Sequence, residues 1–226
     1  MSDLRHDERG FSLMELMMAM AIGGIVLTMV MQIFVTGLTR SAQVGDRVEA
    51  AARARLAVDR AVTLLGAQTC VDGNAPIVDG QSTSVTFRAN LGIVDADPKQ
   101  YRLRYDDPTD TLYEEQFDPT KVSGLVTYGT TPSRSRVLAT DVAPVGGKIF
   151  SYYKFQTTGA AAGQVDPAPL LTTLSDSDRL QVVRVGVDLT AIPTRTKQAD
   201  KRSTEINAQA VVVSSDPSNP NKGPNC

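Results

Sequence analysis

Histidine is nearly absent from this chain of 226 residues: the only one is His6. Every position beyond residue 10 lacks an imidazole. That excludes Ser-His-Asp and Cys-His catalysis, and histidine-based metal sites, from almost the whole sequence. Cysteine is scarce too. Cys70 and Cys226 stand far apart, with neither Cys-x-x-Cys nor zinc spacing. In an exported protein such a pair reads first as a disulfide; the other reading is two free thiols. An excess of either charge is also lacking. A net charge of −2 gives no electrostatic case for nucleic-acid binding. Carboxylate pairs and a Ser-Lys dyad survive these exclusions, but no spacing argues for either, and no enzyme activity is expected. No internal repeat is visible.

What the chain has is a long apolar run close to its start. Residues 16–31 read LMMAMAIGGIVLTMVM, with Thr28 the one polar side chain. From Phe11 to Leu38 a helix would be about 40 Å long, enough for a hydrocarbon core of roughly 30 Å. Glu15 stands at the edge of this run. An ionised carboxylate on a lipid-facing helix costs on the order of 2.5–3.5 kcal/mol even on the lenient insertion scale, so such a residue asks for a partner. An ordinary secretory signal, cut near Val35-Thr36-Gly37, would have a shorter apolar stretch with no acid inside it. A plain signal anchor is the other alternative. Arg5 and Arg9 precede the run, but Arg40, Arg47, Arg53, Arg55 and Arg60 follow it, so the positive-inside rule does not fix orientation.

Gly10-Phe11-Ser12-Leu13-Met14-Glu15-Leu16, followed at once by the apolar run, resembles the class III signal of type IV prepilins and pseudopilins. The resemblance implies cleavage after Gly10 on the cytoplasmic side and N-methylation of the new first residue, Phe11. It implies that Glu15, fifth in the mature chain, meets the free amino terminus of a neighbouring subunit in a filament. Two charges that are each costly in an apolar core become tolerable as a pair. The expected partners are therefore a prepilin peptidase/methyltransferase, other pilins or pseudopilins, an assembly-platform membrane protein, and membrane lipid before assembly. Nucleic acid is expected as no more than an indirect partner. The expected location is a single-pass inner-membrane anchor with an exported C-terminal domain, at the cell surface or in the periplasm when assembled.

The helix is expected to continue past the membrane. Val44, Val48, Ala52 and Leu56 recur four apart, and Ala51, Ala54, Val58, Val62 and Leu65 carry a stripe onward. Arg47, Glu49, Arg53, Arg55, Asp59 and Arg60 supply a polar face, on which Asp59 can pair with Arg55. One helix over 11–65, stopped near Gly66, is the reading. Gly23, Gly24, Gly37 and Gly45 are soft points within it, or, for the first two, places of close helix packing in lipid.

Beyond Cys70 the pattern alternates. Strands are expected over 84–88, 101–105, 111–117, 137–139, 149–155, 183–189 and 206–212. The second and third form a hairpin around Asp106-Asp107-Pro108-Thr109-Asp110, with Glu114 facing Arg102 or Arg104. Stretches 159–169, 193–203 and 214–226 read as loop or irregular tail. The sum is an α+β fold, a long helix packed on an antiparallel sheet; by resemblance it is the pilin fold. The expected organisation is a leader over 1–10, a transmembrane or filament-core helix over 11–38, its amphipathic continuation over 39–66, an exported β domain over 67–213, and a tail over 214–226. Size, the stretch 53–65 and the hairpin resemble the W/J class of minor pilins and pseudopilins, which implies a subunit that initiates or caps filament assembly. Glu15 argues weakly against the terminal K-type subunit.

No cofactor is expected. Asp95 with Asp97, Asp106 with Asp107 and Asp110, and Asp176 with Asp178 are the candidate calcium ligands, but none follows an EF-hand pattern and short acidic turns are more often solvated. Phe150, Tyr152, Tyr153 and Phe155 read as a half-buried strand before they read as a binding patch. Lys197, Lys201 and Arg202 read as a solvated loop. Cys226, ending a tail with no folding signal of its own, is expected to bond Cys70 and pin that tail.

Overall fold

A computed structural model describes residues 12–92, 97–170, 173–194, 203–212, 217–218 and 226. The chain divides into two compact units, Met1–Gly45 and Asp46–Cys226.

Helix α1 spans Leu13–Gly66. No proline interrupts it, and leucine, methionine and alanine fill most of its first half. The amides of Glu15 and Leu16 reach the Ser12 carbonyl at 3.0 and 3.1 Å, so the first turn closes on Ser12. The hydroxyls of Thr28, Thr36 and Thr39 donate back to carbonyls of the preceding turn, at 2.7, 2.8 and 3.0 Å. That satisfies each hydroxyl without a partner outside the helix. The helix runs unbroken through Gly23, Gly24, Gly37 and Gly45.

In the second unit, α1 buries Ala50, Ala54, Ala57, Val58, Ala61, Leu64 and Leu65. These recur at the three- and four-residue spacing of a single face, and four of the seven are alanine. Ala54, Val58 and Leu65 of the expected stripe lie here. The other expected stripe does not: Val48 and Leu56 are 64% and 71% exposed, and Ala52 is exposed as well. Alanine at 50, 57 and 61 turns the helix to a narrower, smaller-residue face than the branched residues suggest. The expected polar face is also partly recruited. Arg53 donates to Thr194 Oγ1 at 2.8 Å, and Arg60 forks Glu114. Among the described residues Arg55 and Asp59 form no ion pair.

The sheets are antiparallel throughout. In chain order the strands are β1 (Ile77–Gly80), β2 (Ser84–Ala89), β3 (Lys99–Asp106), β4 (Thr111–Phe117), β5 (Pro119–Val122), β6 (Leu125–Tyr128), β7 (Arg134–Ala139), β8 (Val142–Pro144) and β9 (Phe150–Tyr153). A short helix α2 (Asp176–Arg179) follows, then β10 (Arg184–Ala191) and β11 (Thr204–Val211). One sheet has the order β1-β2-β3-β4-β7. A second runs β11-β10-β8, with β9 also paired to β10. β5 and β6 form a separate hairpin through Ser123 and Gly124, both at positive φ. That is the backbone a two-residue primed turn demands.

The fold is thus α+β, a long helix packed on antiparallel sheets. Val85, Phe87, Leu103 and Leu112 of one sheet and Phe150, Tyr152, Val185, Val187 and Leu189 of the other meet the alanine face of α1 in one core. Gly80 lets this core close. A Cβ there would stand 2.6 Å from Leu174 Cδ1 and 2.9 Å from Tyr152 Cζ.

The hairpin register corrects one expectation. Leu103 pairs with Glu114, and Arg102 with Glu115. Glu115, not Glu114, therefore faces Arg102 and Arg104, at 2.5 and 3.4 Å. Glu114 lies on the opposite face, toward α1. A shift of one residue exchanges every side chain between faces.

Candidate functional site

The N-terminal segment is built from α1 outward. Ser12 opens the helix, its Oγ 3.3 Å from the Met14 amide. Glu15 follows within the first turn. Around it Leu13, Met14, Leu16, Met17 and Met18 are all exposed, and no residue from 12 to 44 is better than exposed. Residues 13–38 thus form a helical stretch long and apolar enough to cross a bilayer, with a carboxylate in its first turn. Among the described residues no cation pairs with Glu15. Gly10 and Phe11 lie outside the described residues.

The second feature is covalent. Cys70 and Cys226 form a disulfide, with their Cα atoms 5.5 Å apart. Cys70 lies four residues past the end of α1, so the bond ties the last residue of the chain to the foot of the helix. Pro217 of the tail lies against Gly163. A Cβ at Gly163, whose φ is +83°, would stand 2.5 Å from the Pro217 carbonyl oxygen.

The third feature is a pair of buried carboxylates, Glu114 and Glu115, each 6% exposed. Arg60 from α1 donates Nε and Nη2 to the two oxygens of Glu114 at 3.1 and 3.2 Å. Arg136 from β7 adds Nε and Nη2 at 3.1 and 2.7 Å. The hydrogen bond to Glu114 raises the Arg60 pKa above its ordinary value. On the other face Arg102 and Arg104 hold Glu115, and each also lies over an aromatic ring, Phe117 and Tyr113 respectively. Sequence reasoning does not single out either carboxylate as buried. The detectable signal is two adjacent acids in a strand flanked by arginine-bearing strands.

The other sequence candidates are dispersed. Tyr152 is fully buried, and its hydroxyl donates to the carbonyls of Gln81 and Ser84 at 2.9 and 3.1 Å. Tyr153 lies half-buried under the Arg184 guanidinium. Asp106 is held below its ordinary pKa by hydrogen bonds from Thr109 and then Arg104, while Asp110 accepts the Tyr105 hydroxyl. Asp97 pairs with Lys121, and Asp178 caps α2 with Ser175. Among the described residues no three of His, Cys, Asp and Glu converge as metal ligands. Asp95, Lys197, Lys201 and Arg202 lie outside the described residues.

The exposed helix stripe has a structural context of its own. Val48, Ala51, Ala52 and Leu56 of α1 and Ile206 and Ala208 of β11 line an open groove of about 680 Å³. Among the described residues β11 pairs only with β10, so its other edge has no strand beside this groove.

Residues 5–31 match the prokaryotic N-terminal methylation motif. No curated protein matches the chain. The match takes in Gly10, Phe11, Glu15 and the apolar run, and it ends at Met31, so it speaks for the N-terminal segment alone. The chain carries a type IV prepilin-like class III signal. Motif and apolar helix together support a type IV pilin-like protein and fit a single-pass inner-membrane anchor.

Proposed function

We propose that this chain is a minor pilin or pseudopilin subunit, cut after Gly10 by prepilin peptidase, methylated at Phe11, and used to initiate or cap a type IV pilus-like filament. The match over residues 5–31 carries the reading. The helix supplies the physics behind it. In lipid, Glu15 is an uncompensated charge on an exposed apolar surface; beside the free amino terminus of a neighbouring subunit it becomes half of an ion pair. That difference favours leaving the bilayer for a filament. The stripe at Val48, Ala52 and Leu56 gives a packing surface to α1 in the second unit. The role is structural rather than catalytic, and the second unit is the exported part.

Intact mass of the protein from its native membrane tests this. Loss of residues 1–10 with gain of one methyl group is the expected result. A full-length chain would leave a membrane-anchored domain that never enters a filament, and a cut near Gly37 would leave an ordinary secreted protein.

A further inference from the structure

A cavity of about 280 Å³ opens where α1 meets the edge of the five-stranded sheet. The register explains what lines it. Tyr101, Gln116 and Arg134 form one cross-strand row on the helix-facing side, and Leu103, Glu114 and Arg136 form the next. Arg60 enters from α1 above them.

The charges in this cavity do not cancel. Lys99 is satisfied by Asp118 at 2.8 Å, and Asp97 by Lys121 at 2.9 Å. Three guanidinium groups remain, Arg60, Arg134 and Arg136, against the one carboxylate of Glu114. Among the described residues that leaves two net positive charges. Arg134 makes no ion pair among the described residues, and it is exposed. Glu114 engages Nε and Nη2 of both Arg60 and Arg136, so the Nη1 groups stay uncommitted. A buried acid that fixes two arginines by their inner edges presents their outer edges in a set orientation, which reduces the ordering cost of binding. Burial pushes the Tyr101 phenol up, so at neutral pH it is a neutral hydroxyl able to donate. Gln116, whose amide nitrogen donates one hydrogen to Asp118 Oδ1 at 2.9 Å, has a second N–H left.

We propose that this cavity binds a carboxylate, presented either by a small dicarboxylic acid or by an acidic side chain of a partner protein. Planar guanidinium edges match a carboxylate in two parallel hydrogen bonds. A phosphate dianion gathers its charge on one tetrahedral group beside Glu114, whereas a dicarboxylate spreads the same charge over two planar groups. The proposal stands on charge and geometry in the second unit and does not depend on filament assembly.

The test is calorimetric titration of the full chain in detergent micelles with succinate, with a glutamate-rich peptide, and with inorganic phosphate. Binding of succinate, the peptide or both is expected, and which of them binds identifies the source of the carboxylate. Arg134→Glu should weaken that binding by about tenfold or more, as loss of a charge-assisted contact implies. Arg134 is exposed on an edge strand, so an unchanged thermal melt will show that the variant folds. Arg55→Glu, an exposed cation away from the cavity, should leave the affinity as it was. Binding of neither carboxylate, binding of phosphate alone, or carboxylate binding indifferent to Arg134→Glu would each overturn the assignment.

Discussion

Glu114 and Glu115 are adjacent, both buried, and charged, yet each is held by a different pair of arginines on opposite faces of one strand. Removing one partner of a fully buried pair costs about 3–5 kcal/mol. Arg60 and Arg136 keep 33% and 40% of their side chains exposed, and water compensates them in part. Glu114→Ala is therefore expected to lower the unfolding free energy by about 2 kcal/mol, measured by chemical denaturation. A loss below a few tenths would mean that the Arg60 and Arg136 contacts are ornamental. The sequence pattern TLYEEQF mislabels these acids because it does not alternate cleanly; only the paired strand says which acid faces which way. Glu15 is the opposite case, legible from the amino-acid order alone because charge and apolar length conflict there at a single position. Glu15→Gln keeps size and removes charge. Membrane insertion should persist, while the share of protein in sheared filaments should fall on immunoblots. An unchanged share would remove the ion-pair account.

At the scale of elements, β10 is nearly complete in the sequence. Val185, Val187 and Leu189 are buried and Arg184, Asp188 and Thr190 half-buried, as a one-sided strand requires, with Gly186 the one buried residue on the other face. β1, β5, β6 and β8 leave no readable mark there, because three or four residues carry too few alternations to show a period; β9, equally short, is marked by Phe150, Tyr152 and Tyr153 instead. The α1 face is half legible. Spacing alone admits two stripes, and the one that is buried is the one richer in alanine. Asp188 on β10 yields a pH prediction. Burial, and then Glu205 across the pair, push its carboxyl above the ordinary value. The folded state thus holds that proton more tightly than the unfolded state. The favourable contribution is present at low pH and is lost as pH rises through the carboxylate range. Asp188→Asn should then stabilise the protein at neutral pH by about 0.5 kcal/mol, the scale of a cross-strand pair. The gain should shrink in melts run near about pH 4. A gain that is the same at both would point to a cause other than charge.

For the whole molecule, the order of a long helix followed by antiparallel strands can be read from periodicity, and the N-terminal motif from seven residues. The disulfide is legible from the expectation of export and from position, not from spacing. The route of the tail past Gly163 is not legible, because nothing local in a proline- and asparagine-rich stretch says what it lies against. Cys70 and Cys226 are 156 residues apart. Closing a loop of that size contributes about 5 kcal/mol in the chain-entropy model, and often less. Cys226→Ser should lower the melting temperature and open the tail to proteolysis near Pro217, with α1 unchanged in circular dichroism. An unaltered melting temperature would show that the tail contributes nothing once released.

The same bond also sets a route for mechanical load. Tension applied between α1 and the last residue passes from Cys70 directly into Cys226 and bypasses the 156-residue loop between them. The sheets lie inside that loop and carry none of the load. At about 3.4 Å per extended residue, roughly 500 Å of chain is withheld from stretching. Pulled by its ends under oxidising conditions, the protein should lengthen only by unravelling its helix; after reduction the sheets should add their own rupture steps.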